Sequence, residues 1–199
     1  MRATPHPVPA GLPRRRLLAS AAVLASVGVG GLGRSWADPL PSLPDAVLAQ
    51  LPDAQWTGTA RLRYFGFSVY DANLWVAPGF SAADFTNHAL ALDLTYLRTL
   101  SGSTIAERSL KEMQRSGNVT PEQAERWLAA MQATFSDVNP GDRLIGLHSP
   151  TTGARFWLNG ITRTAVPDPE FSRRFFGIWL ANSTSEPQMR SDLLTGTTP

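Results

Sequence analysis

The chain has 199 residues, 43% hydrophobic and 17% charged, with a formal net charge of +2 and no cysteine. That balance excludes a disordered tail and fits one packed domain. The missing cysteines exclude disulfides, thiolate catalysis and zinc–thiolate sites.

The N-terminus reads as a leader. Arg14, Arg15 and Arg16 are followed directly by Leu17 and Leu18, a weakly apolar run extends to Leu32, and Ser35-Trp36-Ala37 is a small-x-small ending. This grammar predicts a signal peptide over residues 1–37, of the twin-arginine type, and a periplasmic or secreted bacterial protein that meets the membrane only through the leader before cleavage. The apolar run is interrupted by Gly28, Gly30 and Gly31, too short and too broken for an anchor, which needs about 20 apolar residues. Its literal G-x-G-x-x-G (Gly28 to Gly33) follows no strand and is a chance match. Five of the 18 basic residues and none of the 16 acidic ones lie in this leader, so residues 38–199 carry 13 against 16. Without a Lys/Arg stripe, nucleic acid is not an expected partner.

Residues 38–55 are punctuated by proline and predict a surface wrap with one helical turn near Pro44 to Gln50. Strands are expected at 56–65 and 67–76, joined around Gly66, and again over His88 to Leu97, where Leu90, Leu92, Leu94 and Tyr96 share one face. Two helices follow. Thr104 with Glu107 reads as the capping box of the first, and Thr120, Pro121 and Gln123 as the start of the second, which presents Trp127, Met131 and Phe135 along one side. The segments 143–149, 154–160 and 161–166 then predict a three-stranded meander turning at Asn159-Gly160. A last helix starts at Asp168 and Pro169 and lines up Phe171, Phe175, Ile178 and Trp179. Together these elements predict a single α+β domain over 38–199, helices packed on one face of an antiparallel sheet.

Most familiar chemistry is missing from this order. His88 and His148 stand in separate strands without the further ligands a metal would need. There is no G-x-S-x-G elbow and no P-loop, and Asp137, Asp142, Asp168 and Glu170 sit at turns and helix starts where capping accounts for them. No cofactor is expected. What stands out is "RLRYFGFSVY": if the hairpin pairs so that Arg61 meets the side of Tyr70, guanidinium and phenol converge over an apolar surface and suit a carboxylate. The alternative is two arginines, Arg61 and Arg63, facing solvent on an edge strand.

The segments "RYFGFSVYDANLWV", "LALDLTYLRTLSG", "VNPGDRLIGL", "GARFWLNG" and "DPEFSRRFFGIWL" followed by "TSEPQMRSDLL" resemble, in order and distance, the bacterial chalcone isomerase-like proteins over about residues 45–195. These are relatives of plant chalcone isomerases and of plastid fatty-acid-binding proteins. The resemblance implies an open-faced β-sandwich, a large antiparallel sheet covered by helices. It carries the enzyme's pocket arginine onto Arg61, with Arg63 as the alternative, its strand threonine onto Tyr70, its tyrosine onto Ile105 and its asparagine onto Glu112. Only the arginine matches. Loss of the hydroxyl donors that would polarise a developing enolate argues against turnover. The expected function is therefore non-catalytic binding of a small amphiphile, such as a fatty acid held by Arg61 and Tyr70 in a cleft between sheet and helices. An isomerase or lyase acting on a phenolic substrate is the alternative.

Overall fold

Among the described residues, six strands follow one another across a single antiparallel sheet in the order β1 to β6, each bonded to its sequence neighbour. They are β1 (Gln55–Tyr64), β2 (Phe67–Val76), β3 (Leu90–Tyr96), β4 (Arg143–Ser149), β5 (Gly153–Leu158) and β6 (Ile161–Thr162). The computed structural model describes residues 42–197, so the expected leader and its cleavage site lie outside the described residues. Helix α1 (Asp45–Leu48) precedes the sheet, α2 (Gly102–Arg115) and α3 (Pro121–Thr134) separate β3 from β4, and α4 (Pro169–Leu180) and α5 (Pro187–Leu193) follow β6. Among the described residues, no helix is long and apolar enough to cross a membrane.

Alternation within the strands produces two unequal faces. The larger core lies where Tyr70, Leu74, Leu92, Leu94, Leu144 and Phe156 meet Trp127 and Met131 of α3 and Phe171, Phe175, Phe176 and Trp179 of α4. On the opposite face, Leu43, Val47 and Leu51 cover Trp75, Ile145, Leu147 and Trp157, so the N-terminal wrap packs a small second core. Next to that core the buried Asp93 takes a two-pronged bond from Arg143 (2.7 and 2.5 Å), and the same guanidinium reaches the carbonyl of Ser42 at 2.6 Å. The charge is compensated where it is buried.

Helix ends follow the local chemistry, with one correction. Thr120 and Gln123 form the expected reciprocal capping box, and Asp168 caps α4 through the amide of Phe171 while also accepting from the indole of Trp127 (2.9 Å), which ties α3 to α4. In α2, however, Ser101 and not Thr104 is the cap: its hydroxyl accepts from the Thr104 amide, and the Asp137 carboxylate takes the Gly102 amide. Two acceptors at the true start outcompete the motif three residues later.

The meander's third strand is shorter than its pattern. Only Ile161 and Thr162 pair as β6, although Val166 returns to bridge Ala154. Asn159 (φ 51°) and Gly160 (φ 79°) supply the two left-handed residues of the turn before it. Helix α5, which the alternation rules do not reveal, is held against β1: the hydroxyl of Thr57 donates to the carbonyl of Leu193 (2.8 Å), at a bulge that breaks the β1–β2 register. A Cβ on the adjacent Gly58 would lie 2.2 Å from the carbonyl oxygen of Asp192, so only glycine permits this approach.

Candidate functional site

Between the larger face of the sheet and helices α2, α4 and α5 lies a cavity of about 450 Å³. Its sheet side is made by Leu62, Val69, Tyr70, Leu94, Tyr96 and Leu144, and its helix side by Ile105, Phe135, Phe175, Ile178, Trp179 and Met189. Its polar end is at the β1–β2 hairpin, where Arg98 beyond β3 and Arg108 of α2 stand over Phe67 and Tyr64 and Glu112 pairs with Arg108; Glu186 before α5 also lines the wall. A largely apolar hollow with a few oriented polar groups is the usual form of a small-molecule site.

The two phenols set the chemistry of the interior. The hydroxyl of Tyr70 accepts a hydrogen bond from the indole N–H of Trp179 at 3.0 Å, and the Tyr70 ring meets that of Tyr96 edge-on, centroids 5.9 Å apart. Burial pushes the ionisation of both phenols above its ordinary range, because the apolar surroundings disfavour a phenolate. Each phenol therefore stays protonated near neutral pH. Having accepted from Trp179, the Tyr70 hydroxyl can still donate its own proton to a ligand, and Tyr96 lines the same cavity.

At the polar end, Glu112 is only 9% exposed. It is held between two arginines, with Arg108 at 2.8 Å on one oxygen and Arg115 at 3.3 Å on the other. Arg108 also stands over the ring of Tyr64 (5.4 Å to the centroid), and Arg98 over that of Phe67 (5.6 Å). Arg98 is in no ion pair with the described residues.

The expected pairing of Arg61 with Tyr70 does not form. Tyr70 lines the cavity, but Arg61 lies opposite Asp71 in the register while Leu62 lies opposite Tyr70, and residues directly opposed share a face. Arg61 therefore points to the other side of the sheet, where its Nε and Nη2 hold Asp71 at 2.5 and 2.8 Å. Arg63 is exposed and likewise outside the cavity wall. The cause is one residue: an uninterrupted two-residue hairpin would set Arg61 against Tyr70, but β2 bulges at Val69, skipped between the pairs Leu62↔Tyr70 and Arg63↔Ser68. Ile105 and Glu112, by contrast, both line the wall. Arg98 and Arg108 are the guanidinium groups missed from the sequence; the signal was the spacing of Ile105, Arg108 and Glu112, which puts all three on one side of α2.

His148 is no part of this site. It is fully buried, its Nε2 lies 3.1 Å from the carbonyl of Thr86 and its Nδ1 2.6 Å from the hydroxyl of Ser172. Since a carbonyl only accepts, Nε2 carries the proton and Nδ1 accepts from serine. Among the described residues, no group of three or more His, Cys, Asp or Glu side chains could hold a metal.

The chain is similar to known proteins at two levels. An uncharacterized protein of Haemophilus influenzae is 30% identical over 145 residues, which cover 72% of this chain and 70% of that protein. The crystal structure of a fatty-acid binding protein of Arabidopsis thaliana superposes with a TM-score of 0.56 at 10% identity, covering 72% of this chain and 88% of that one. The open antiparallel sheet with its helices is thus the chalcone isomerase fold. A family model described as chalcone isomerase-like matches residues 42–195, every residue that lines the cavity included, and the chain belongs to that family.

Proposed function

We propose that the protein is an exported, non-catalytic carrier of a small amphiphile with an anionic head, a fatty acid being the best fit. The observation that carries this reading is the cavity of about 450 Å³ between sheet and helices, apolar along its length and bounded at one end by Arg98 and Arg108. The alkyl chain would lie over Leu94, Leu144, Phe175 and Met189, and the carboxylate would meet the guanidinium groups, which offer fixed forks to its two oxygens. Tyr70 stays a ligand residue in this reading, as a neutral O–H donor to the cavity. Arg61 leaves it. The similar Arabidopsis protein, which binds fatty acids, supports a lipid ligand, and the leader grammar of residues 1–37 supports export.

Isomerase chemistry has less behind it. The position that the family resemblance assigns to the enzyme's tyrosine is Ile105, which lines the cavity without a hydroxyl. A titration with a long-chain fatty acid and with the corresponding fatty alcohol tests the carrier reading. The acid should bind at least about tenfold more tightly, since a hydrogen bond to a charged group contributes about 1.5–3 kcal/mol, and Arg108→Ala should remove most of that preference. Equal affinities in the parent protein, or turnover of a chalcone, would overturn it.

A further inference from the structure

The tip of the β1–β2 hairpin is built against the usual rules. Phe65 and Gly66 form a two-residue turn with φ of 48° and 82°. Asn-Gly or Asp-Gly fills such a turn with least strain, whereas a bulky aromatic residue in the left-handed region is a genuine outlier. The strain holds Phe65 where it is 84% exposed, and its neighbour Phe67 is 65% exposed. Two aromatic rings thus project together, with Tyr64 half exposed beside them. Arg98 and Arg108, both exposed, stand over the faces of Phe67 and Tyr64, and the exposed Arg63 lies two residues before Phe65 in the same hairpin arm. Neither Arg63 nor Arg98 is in an ion pair with the described residues. Tyr64, Arg98 and Arg108 also border the polar end of the cavity, so this tip and the cavity mouth are one edge of the molecule.

We propose that this tip docks on an anionic lipid surface, Phe65 and Phe67 entering the acyl boundary and the arginines meeting the headgroup phosphates. Aromatic rings favour that boundary and arginine completes it by charge, while an exposed apolar patch at a strained turn calls for a partner. Lipid surface contact then extends beyond the leader, and the cavity mouth faces the bilayer. The docking stands whether or not the cavity's ligand is a fatty acid, because neither Phe65 nor Arg63 belongs to the cavity wall.

Flotation with vesicles tests this, using the protein as processed by its own cells. It should float with vesicles of phosphatidylcholine containing about one third phosphatidylglycerol, not with phosphatidylcholine alone, and less as salt rises. Phe65→Asn should lower the partition coefficient by at least about tenfold, the loss of one buried ring. Because Asn-Gly suits the turn, this variant should melt no lower than the parent, so the loss cannot come from unfolding. Arg63→Gln should lower partition by about fivefold. Equal partition into neutral vesicles, an unchanged Phe65→Asn variant, or a dimer that Phe65→Asn dissolves while no vesicle binding is seen would overturn the proposal, the last by making the tip a contact between copies of this chain.

Discussion

The indole N–H of Trp179 donates to the hydroxyl of Tyr70 across 3.0 Å, joining the last long helix to the second strand at the wall of the cavity. Both residues are buried and line the cavity, so the bond ties its helix wall to its sheet wall. Replacing Tyr70 by Phe leaves a buried N–H without its acceptor. That should cost about 1–3 kcal/mol, measurable by urea denaturation, and should weaken acid binding as well.

Arg61→Ala discriminates between the two arginine assignments. Because Arg61 holds Asp71 on the far face of the sheet, this variant should retain ligand affinity and nearly the parent's melting temperature, as expected for an exposed ion pair. Arg108→Ala should lose affinity by about tenfold or more. A matched titration of the two variants separates them, and a loss in Arg61→Ala alone would restore the assignment made from the strand pattern.

His148 imposes a pH dependence on stability. Burial lowers its pKa from 6.5, against the pull of the Thr86 carbonyl and helped by Arg173. The folded state therefore binds its proton less readily than the unfolded chain, and stability falls as pH drops from about 6.5 toward the lowered folded value. His148→Asn should be less stable overall but flatter across that window. Urea midpoints at a series of pH values check the slope.

Gly58→Ala should dislodge α5. The new methyl group would meet the carbonyl oxygens of Asp192 and Leu193 at 2.2 and 2.7 Å, both backbone atoms that a rotamer change cannot move. Overpacking of this kind costs about 1–3 kcal/mol. As Met189 of α5 closes one side of the cavity, ligand affinity should fall together with thermal stability, read by calorimetry and titration on the same sample.

Where local chemistry decides, the sequence was legible. Thr120-Pro121 with Gln123, Asp168-Pro169 and Asn159-Gly160 each act as their residue types require, and the alternation of Leu90, Leu92, Leu94 and Tyr96 marks the face that turns to the larger core. The fold class followed from those elements and their order. The site did not, because register across a hairpin depends on bulges, and one skipped residue, Val69, was enough to turn Arg61 away from Tyr70. Helix α5 was hidden for a related reason: it is short, and its place is set by Thr57 and Gly58, far away in sequence. The guanidinium groups of Arg98 and Arg108 reach one rim only once β3 and α2 have packed, although the helical spacing of Ile105, Arg108 and Glu112 already hinted at a shared side.

Mass spectrometry of the organic extract tests the central claim most directly, comparing the protein purified from its own compartment with an Arg98→Ala, Arg108→Ala, Tyr70→Phe variant. A long-chain acid that is present in the parent and lost from the variant, with circular dichroism unchanged, is the predicted result. An empty parent that also takes up no added fatty acid would contradict the account.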